Sequence, residues 1–211
     1  MKKIELLQFV IVVLAFVISI IFYSQTPDDV ASHWGIDGEV NGYMPKLQGL
    51  FFIPVLLIVL TLVLQIIPRI DPLKLNIDKF RKHYDNLIVL LLIFMVAIHC
   101  QMVLWNIGIK ISMNLTLPLG LGALFFYIGI VLEHAKRNWT VGIRTPWTIS
   151  NDEVWDKTHR VGGRLFRIIG IVTLLGVVFQ NYAWLIILVP VVLAVIYLTI
   201  YSYMEYKKLK K

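Results

Sequence analysis

The sequence predicts an all-α integral membrane protein, and three observations support that fold class. The composition is 58% hydrophobic and only 16% charged, with a mean hydropathy of +0.77, so too little polar surface remains for a water-soluble domain. Apolar segments with the length of a membrane-spanning helix recur along the chain. Basic residues collect in alternate connections between them. We therefore expect a bundle of six transmembrane helices within 211 residues.

The six predicted transmembrane segments differ in how clearly they stand out. The fifth is the shortest and begins beside Arg164 and Arg167, whose side chains would have to extend to the membrane surface. The first has no clear cleavage site for a signal peptidase, so we expect it to be retained. The segments cover residues 4–23, 50–67, 87–109, 115–132, 165–179 and 184–203.

The distribution of basic residues predicts the orientation in the membrane. Of the 20 lysines and arginines, only Lys46 and Lys110 fall in the connections assigned to the outer side. Because cytoplasmic loops carry the excess of Lys and Arg, both termini are predicted to be cytoplasmic in a multi-pass protein of the cell membrane. The net charge of +7 therefore reflects topology, and we expect no direct binding of nucleic acid.

Two long loops divide the chain into two predicted regions. Residues 1–67 contain the first two helices and the extracytoplasmic loop 24–49, and residues 68–211 contain four helices and the cytoplasmic loop 133–163. The remaining outer connections are too short to form a site alone. Any site outside the bilayer should therefore involve one of the two long loops.

The cytoplasmic loop is predicted to contain an amphipathic helix on the membrane surface. Ser150 and Glu153 have the spacing of a capping box, which predicts a helix starting at Asn151. Gly162 and Gly163 follow the last charged residues of this stretch and are predicted to end that helix.

The same loop carries the strongest candidate site. Gly142 permits a tight turn, and Pro146 favours an extended conformation for Thr145. One interpretation is that the tryptophans anchor the loop at the bilayer surface and Arg144 binds a lipid phosphate or a helix end. The other is a binding surface for a partner or ligand, formed by Arg144, Thr145, Pro146, Trp147, Thr148, Trp155 and His159.

The extracytoplasmic loop is rich in turn-forming residues. The dipeptides Asp37-Gly38 and Asn41-Gly42 predict two turns with positive φ angles, so the loop should fold back on the bundle as a small cap.

This cap supplies three further candidate binding residues, His33, Trp34 and Asp37. His33 with Asp37, or Asp28 with Asp29, could hold a cation, but a histidine beside carboxylates is more often a hydrogen-bonded structural residue. We expect no bound metal and no cofactor.

Polar residues inside the predicted helices are few. His99 lies near the centre of the third segment, and its simplest role is one hydrogen bond between helices. The segments contain no ladder of carboxylates for an ion relay, which disfavours transport along a charged pathway. No nucleophile with a base at recognisable spacing appears, so we do not expect an enzyme. The alternative function from another class is a small-solute or lipid transporter.

Both loops resemble known protein families. The stretches 141–148, 152–155, 158–160 and 162–163 resemble the cytoplasmic signature of the bacterial immunity proteins against the sporulation-delaying peptide toxin. The outer loop, with its His33-Trp34-Gly35 and Asp37-Gly38 sequences, is similar to a prokaryotic membrane module of unknown function.

The resemblance implies a function and a set of partners. It implies a six-span protein of the plasma membrane that protects a cell from a secreted membrane-active peptide. It also implies that the protein can signal by sequestering a transcriptional repressor at the membrane. The implied partners are the lipid bilayer, the peptide toxin and the repressor.

Overall fold

The computed structural model describes residues 3–209, which form eight α-helices and one β-hairpin. Lys2, Lys210 and Lys211, which contributed to the predicted orientation, lie outside the described residues. The elements in chain order are α1 (Lys3–Phe22), β1 (Asp29–Trp34), β2 (Val40–Pro45), α2 (Lys46–Ile70), α3 (Lys74–Asp78), α4 (Arg81–Asn106), α5 (Met113–His134), α6 (Pro146–Ser150), α7 (Asp152–Thr173) and α8 (Ala183–Lys208).

Five of these helices, α1, α2, α4, α5 and α8, are long and apolar enough to cross a membrane by length and composition. They coincide with the first four predicted segments and the sixth, except that α1 and α4 end one and three residues before the predicted ends. The predicted all-α membrane architecture is confirmed. Helix α2 begins at Lys46, four residues before the predicted segment, because the chain enters it directly from the hairpin.

The fifth predicted segment is part of a longer helix. Helix α7 runs without interruption through Gly162 and Gly163, and a 3₁₀ segment, Leu174–Val177, follows it. The predicted helix end at the two glycines is therefore wrong: both are buried, and they make room for neighbouring elements. Helix α7 is not among the five apolar helices, so a sixth membrane crossing stays a prediction.

The closest helix contact in the bundle joins α5 to α7 at two pairs of glycines. A Cβ atom on Gly129 would lie 2.5 Å from the carbonyl oxygen of Gly163, and one on Gly170 would lie 2.6 Å from that of Gly122. Within each helix the two glycines are seven residues apart, which places them on one face. Small residues let the two backbones touch, which is how helices associate where lipid replaces the hydrophobic driving force.

Helix α7 runs antiparallel to α5 along most of its length. Gly163 lies opposite Gly129 near the end of α5, and Gly176, in the 3₁₀ segment, lies beside Pro118 near its start. The chain from 163 to 176 therefore returns along α5, and the connection to α8 lies at the end of the bundle where α5 begins.

The loop predicted to be extracytoplasmic, residues 24–49, contains an antiparallel hairpin, an addition to the predicted helical architecture. Its strands pair from Asp29 with Pro45 to Trp34 with Val40. The predicted turn at Asp37-Gly38 is confirmed, with φ of +82° at Gly38. The predicted positive φ angle at Asn41-Gly42 is wrong, because Gly42 lies within β2 opposite His33.

The hairpin is held against the bundle by a side chain at the end of α4. The Asn106 side chain accepts a hydrogen bond from the Ala31 amide (2.7 Å) and donates one to the Ala31 carbonyl (3.1 Å). Val30, which is fully buried, packs directly on Gly49 of α2. The hairpin is therefore a fixed part of the fold.

The glycine contact generates a stability prediction. Gly163→Leu should lower the thermal midpoint of the protein in bilayer discs, with a cost of about 1–3 kcal/mol, because the new side chain must displace α5 or distort its own helix. Ala123→Leu, at an exposed position on α5, is the matched control and should melt like the wild type. Equal midpoints for both variants would show that the two helices need no close contact here.

Candidate functional site

The candidate site at one end of the bundle is built on residues 135–150, which we call the signature loop. Its first turn is organised by Asn138, whose side chain is fully buried. The Asn138 Nδ2 group donates to the carbonyls of Lys136 (2.8 Å) and Val141 (2.9 Å), and Oδ1 accepts from the amides of Thr140 (2.9 Å) and Val141 (2.6 Å). One side chain thus replaces water for several backbone groups of a buried turn.

A second buried polar side chain, Asp71, joins the signature loop to the end of α2. Its Oδ2 atom accepts hydrogen bonds from the Trp139 amide (2.9 Å) and the Thr140 hydroxyl (2.7 Å), while Oδ1 accepts from the Leu73 amide (2.7 Å). The sequence-based prediction included neither Asp71 nor Asn138. The only available signal was Asp71-Pro72 after a transmembrane segment, which is also an ordinary turn sequence.

The centre of the loop is closed by an aromatic stack. The imidazole of His159 lies 3.9 Å from the Trp155 ring, with 16° between their planes. His159 Nε2 accepts a hydrogen bond from the Ile143 amide (3.0 Å), so Nδ1 carries the proton and donates to the Trp155 carbonyl (2.9 Å). The Trp155 indole donates to the Ala135 carbonyl (2.9 Å). Every polar atom of the stack is therefore paired.

Gly142 makes this arrangement possible. Its φ angle is +118°, and a Cβ atom there would collide with His159 Nε2. The predicted tight turn at Gly142 is confirmed, and it brings the signature loop directly onto α7.

His159 and Trp155 are interior residues, with 1% and 0% of their surface exposed. Burial lowers the pKa of His159 to about 4, because a charged imidazole would lose its solvation and would place a second proton against the Ile143 amide. The neutral ring of His159, on α7, accepts a hydrogen bond from the loop and so holds the loop against the helix. The structure therefore gives these two candidate residues a positioning role.

The Arg-Thr-Pro-Trp-Thr segment forms the entry to α6. The Thr145 amide donates to the Thr148 hydroxyl (2.9 Å), and the Thr148 amide donates to the Thr145 hydroxyl (3.2 Å), a reciprocal capping box. Pro146 occupies the first turn, where a missing amide proton costs nothing. Thr145 is extended, with ψ of 161°, as predicted from the proline that follows it.

The capping box predicted at Ser150 and Glu153 is wrong. Asn151 caps α7 instead, since its Oδ1 accepts from the amides of Glu153 (2.8 Å) and Val154 (3.1 Å). Ser150 belongs to α6, and its hydroxyl donates to the Trp147 carbonyl (3.1 Å). Serine and asparagine both cap helices well. Because Ser150 is the last residue of the short helix α6, Asn151 is the residue that caps α7.

The same segment is joined to α8 by two contacts. The Thr145 hydroxyl donates to the Ser202 hydroxyl (3.0 Å). The Trp147 ring packs on Tyr203, with 5.1 Å between ring centres. These contacts connect the signature loop with the last helix of the chain.

Three of the candidate residues in this loop remain accessible. Arg144 and Pro146 are exposed, and Trp147 is half-buried. Arg144 Nη1 donates to the Trp139 carbonyl (2.8 Å), so the guanidinium is held in place while the rest of it faces outward. An exposed arginine that is held in place is suited to binding an anionic group.

At the opposite end of the bundle, three of the hairpin's polar candidate residues have partners other than one another. His33 Nδ1 lies 2.5 Å from the Asn41 side-chain oxygen, Asp37 accepts from the Glu39 amide (3.1 Å), and Asp28 pairs with Lys46 (3.1 Å). Among residues 3–209, no three His, Cys, Asp or Glu side chains lie close enough together to hold a metal ion.

Trp34 lines an apolar groove of about 430 Å³ between the hairpin, α5 and α8. Its ring meets Trp105 edge to face, 5.7 Å between centres, and its buried indole N–H has no hydrogen-bond partner among the described residues. The groove is lined by Trp34, Gly35, Ile36, Asn114, Leu117, Pro118, Ala183, Trp184, Ile187 and Leu188. We call it the hairpin groove.

Comparisons with known proteins find two matching regions, one that contains the signature loop and one that contains the hairpin. Residues 134–202 match the model of the SdpI/YfhL protein family, and residues 10–58 match a domain of unknown function, DUF1648. Over 210 residues the chain is 29% identical to the immunity protein SdpI of Bacillus subtilis (strain 168), covering 99% of this chain and 98% of that protein. The predicted resemblance to the SdpI-like family is confirmed. No solved structure matches the chain.

The SdpI/YfhL match contains the whole signature loop, which includes α6, and the helix α7 that follows it. It begins at the end of α5, includes α6 and α7, and ends at Ser202 of α8, the residue that receives the Thr145 hydroxyl. The DUF1648 match includes most of α1, the hairpin and the first half of α2. Asp71 lies between the two matched regions in the sequence, and its carboxylate binds Trp139 and Thr140 of the signature loop.

The buried imidazole predicts a pH dependence of stability. His159 binds a proton below about pH 4 in the folded protein and near pH 6.5 when unfolded. Stability should therefore be complete above pH 6.5 and fall as the pH decreases towards 4, by up to about 1.4 kcal/mol per unit.

Thermal melting in bilayer discs between pH 7.5 and 4.5 measures this slope. His159→Gln should have a lower midpoint at neutral pH and a weaker dependence on pH, whereas His33→Gln, on the exposed hairpin edge, should keep the wild-type slope. A His159→Gln slope equal to that of the wild type would contradict the assignment.

Proposed function

We propose that this protein gives a cell resistance to a secreted membrane-active peptide. The observation that carries the proposal is the similarity to a protein named for immunity, which extends over 99% of this chain. Both long loops therefore fall within the similar region, together with the helices that connect them.

In this proposal the peptide binds in the hairpin groove. Apolar side chains and the rings of Trp34 and Trp184 form its walls, which suits an apolar segment arriving from the bilayer surface. A backbone carbonyl that enters such a site without water needs a donor. The buried indole N–H of Trp34 has no partner among the described residues and would supply one if the ring turned towards the groove.

Helix α8 offers a physical connection from the groove to the signature loop. Trp184 stands at its first turn, and Ser202 and Tyr203 contact Thr145 and Trp147 near its end. A peptide that displaces the start of a rigid helix also displaces these contacts. Occupancy of the groove would then change the position of the exposed Arg144.

We propose further that the signature loop binds a cytoplasmic partner with an acidic surface, such as a transcriptional repressor. Arg144, Lys136, Arg160 and Arg164 are all exposed at this end. Opposite charge on a partner would speed association and fix its orientation.

The proposed function requires the hairpin outside the cell and the signature loop inside, with both termini cytoplasmic. The antiparallel course of α7 along α5 supports a sixth crossing, because the connection to α8 then lies at the hairpin end. A reporter active only outside the cytoplasm should be active when fused at Asn181 and inactive when fused after Lys211. Activity at Lys211 would leave five crossings and exclude this topology.

The immunity proposal predicts survival of a toxin-sensitive bacterium that expresses the protein. Trp184→Ala should reduce the tolerated concentration of the sporulation-delaying peptide about tenfold, since an aromatic anchor in a binding groove contributes at least about 1.4 kcal/mol. Phe52→Ala removes another exposed aromatic ring, on α2 and outside the groove, and should protect like the wild type.

The outcomes of this experiment separate the function from the site. No protection by the wild type would exclude immunity to this toxin. Protection by the wild type and by both variants alike would place the peptide elsewhere. Arg144→Ala should still protect, but should weaken any response that depends on a repressor.

The transporter alternative stays a prediction. The simplest role expected for His99 is visible, since its Nε2 atom lies 3.0 Å from the Ser19 hydroxyl, which also donates to the Leu50 carbonyl (2.7 Å). These two hydrogen bonds join Ser19 of α1 to α4 and to α2. Flux of a solute into liposomes that His99→Ala abolishes would favour transport.

A further inference from the structure

One face of α7 is exposed along the helix, and its chemistry changes in order along the axis. Exposed residues recur on it every three or four positions. They are Glu153 and Asp156, then Arg160 and Arg164, then Ile168 and Ile171. We propose that this face, which we call the α7 face, binds an anionic phospholipid. The phosphate lies between the two arginines, and an acyl chain lies along the two isoleucines.

The depth of the two arginines follows from the packing of α7 on α5. Helix α5 is long and apolar enough to cross a membrane, and its apolar stretch ends at Leu132, directly before Glu133. Arg160 and Glu133 line the same pocket of about 250 Å³, so Arg160 lies at the level where α5 leaves the hydrocarbon. Arg164 lies one turn deeper, and its long side chain can extend back to that level. Both guanidiniums can therefore reach the phosphates of one leaflet.

The two arginines have no counter-charge in the part of the chain that the structure describes. Neither guanidinium forms a hydrogen bond or an ion pair with another of the residues 3–209. The carboxylates that line the pocket already have cations, since Glu133 pairs with Arg167 and Asp156 pairs with Lys136. A free guanidinium offers a fork of N–H donors that matches a phosphate. The α7 face therefore attracts an anion at the level of the headgroups.

The apolar part of the same face favours a lipid over any other anion. Ile168 and Ile171 are 56% and 58% exposed, and this part of the chain returns along α5. Ile171 lies about 10 Å beyond Arg164 along the helix, within the depth of about 15 Å that one leaflet offers. A free phosphate or an acidic protein would leave both isoleucines uncovered. A phospholipid covers them with the acyl chain attached to its phosphate.

The lipid site is separate from the proposed immunity function. The orientation proposed above decides only which leaflet supplies the lipid, because the packing of α7 on α5 sets the depth in either orientation. A lipid on Arg160 and Arg164 would leave Arg144 and Lys136, exposed at the same end, to the acidic partner.

Native mass spectrometry of the full chain can test the α7 face. The protein is placed in bilayer discs with equal phosphatidylglycerol and phosphatidylethanolamine, released, and its retained lipids are counted. The wild type should retain phosphatidylglycerol in preference to phosphatidylethanolamine. Arg160→Gln with Arg164→Gln should lower that preference about 25-fold, because each basic residue near an anionic surface strengthens the attraction about fivefold.

Two further double variants serve as controls. Lys74→Gln with Lys79→Gln removes the same number of exposed charges in and directly after α3, which contacts the signature loop, and should keep the wild-type preference. Arg160→Lys with Arg164→Lys keeps both charges and should keep most of it. If the double glutamine variant of α7 fails to fold, each single variant should lower the preference about fivefold.

Three outcomes would overturn the lipid site. The first is equal retention of both lipids by the wild type. The second is an unchanged preference after Arg160→Gln with Arg164→Gln, which would leave these arginines to an acidic protein. The third is an equal loss in the α3 variant, which would show a general effect of surface charge. Since the measurement uses neither toxin nor repressor, a failure of the immunity proposal would not alter its result.

Discussion

The close contact of α5 with α7 is the constraint on which the rest of the signature end depends. Because small residues stand at the contact, the association of these two helices depends on dense packing of one backbone on another. The pairs Gly129 with Gly163 and Gly122 with Gly170 allow that approach. Any side chain at these positions would move α7 outward. The first half of α7, which carries Trp155 and His159, would move with it.

That position of α7 decides what the signature loop can do. Asn138 and Asp71 satisfy the backbone of its first turn, and Thr145 and Thr148 satisfy that of its last. Buried polar side chains thus form the hydrogen bonds that the backbone of the loop would otherwise form with water. A loop needs such bonds to hold one conformation when it is buried. Arg144 is an exposed charge of the segment, and the Trp139 carbonyl holds its guanidinium in place.

The overall architecture was predictable because bilayer thickness imposes one length on every spanning segment. Local chemistry also worked where a residue has few alternatives. Gly142 adopts the positive φ angle expected for a tight turn, and Pro146 starts a helix after an extended Thr145. Such positions depend on neighbours in the sequence alone.

Other features escaped prediction because they depend on contacts that are distant in the sequence. Gly162 and Gly163 look like a helix end, yet they lie inside α7 because other elements need the space of a side chain. Asp71 is an unremarkable turn residue until the signature loop, nearly seventy residues later, uses its carboxylate. No local sequence pattern predicts the close packing at the two glycines or the hydrogen bonds of Asp71.

The hairpin groove spans the two matched regions of the chain. Trp34 comes from the part that matches the domain of unknown function, and Trp184 comes from the part that matches the SdpI/YfhL family. A peptide seated between them would contact both regions at once, so neither half would supply the whole site. A site shared between the two regions needs both of them, and the similarity to the immunity protein extends over both.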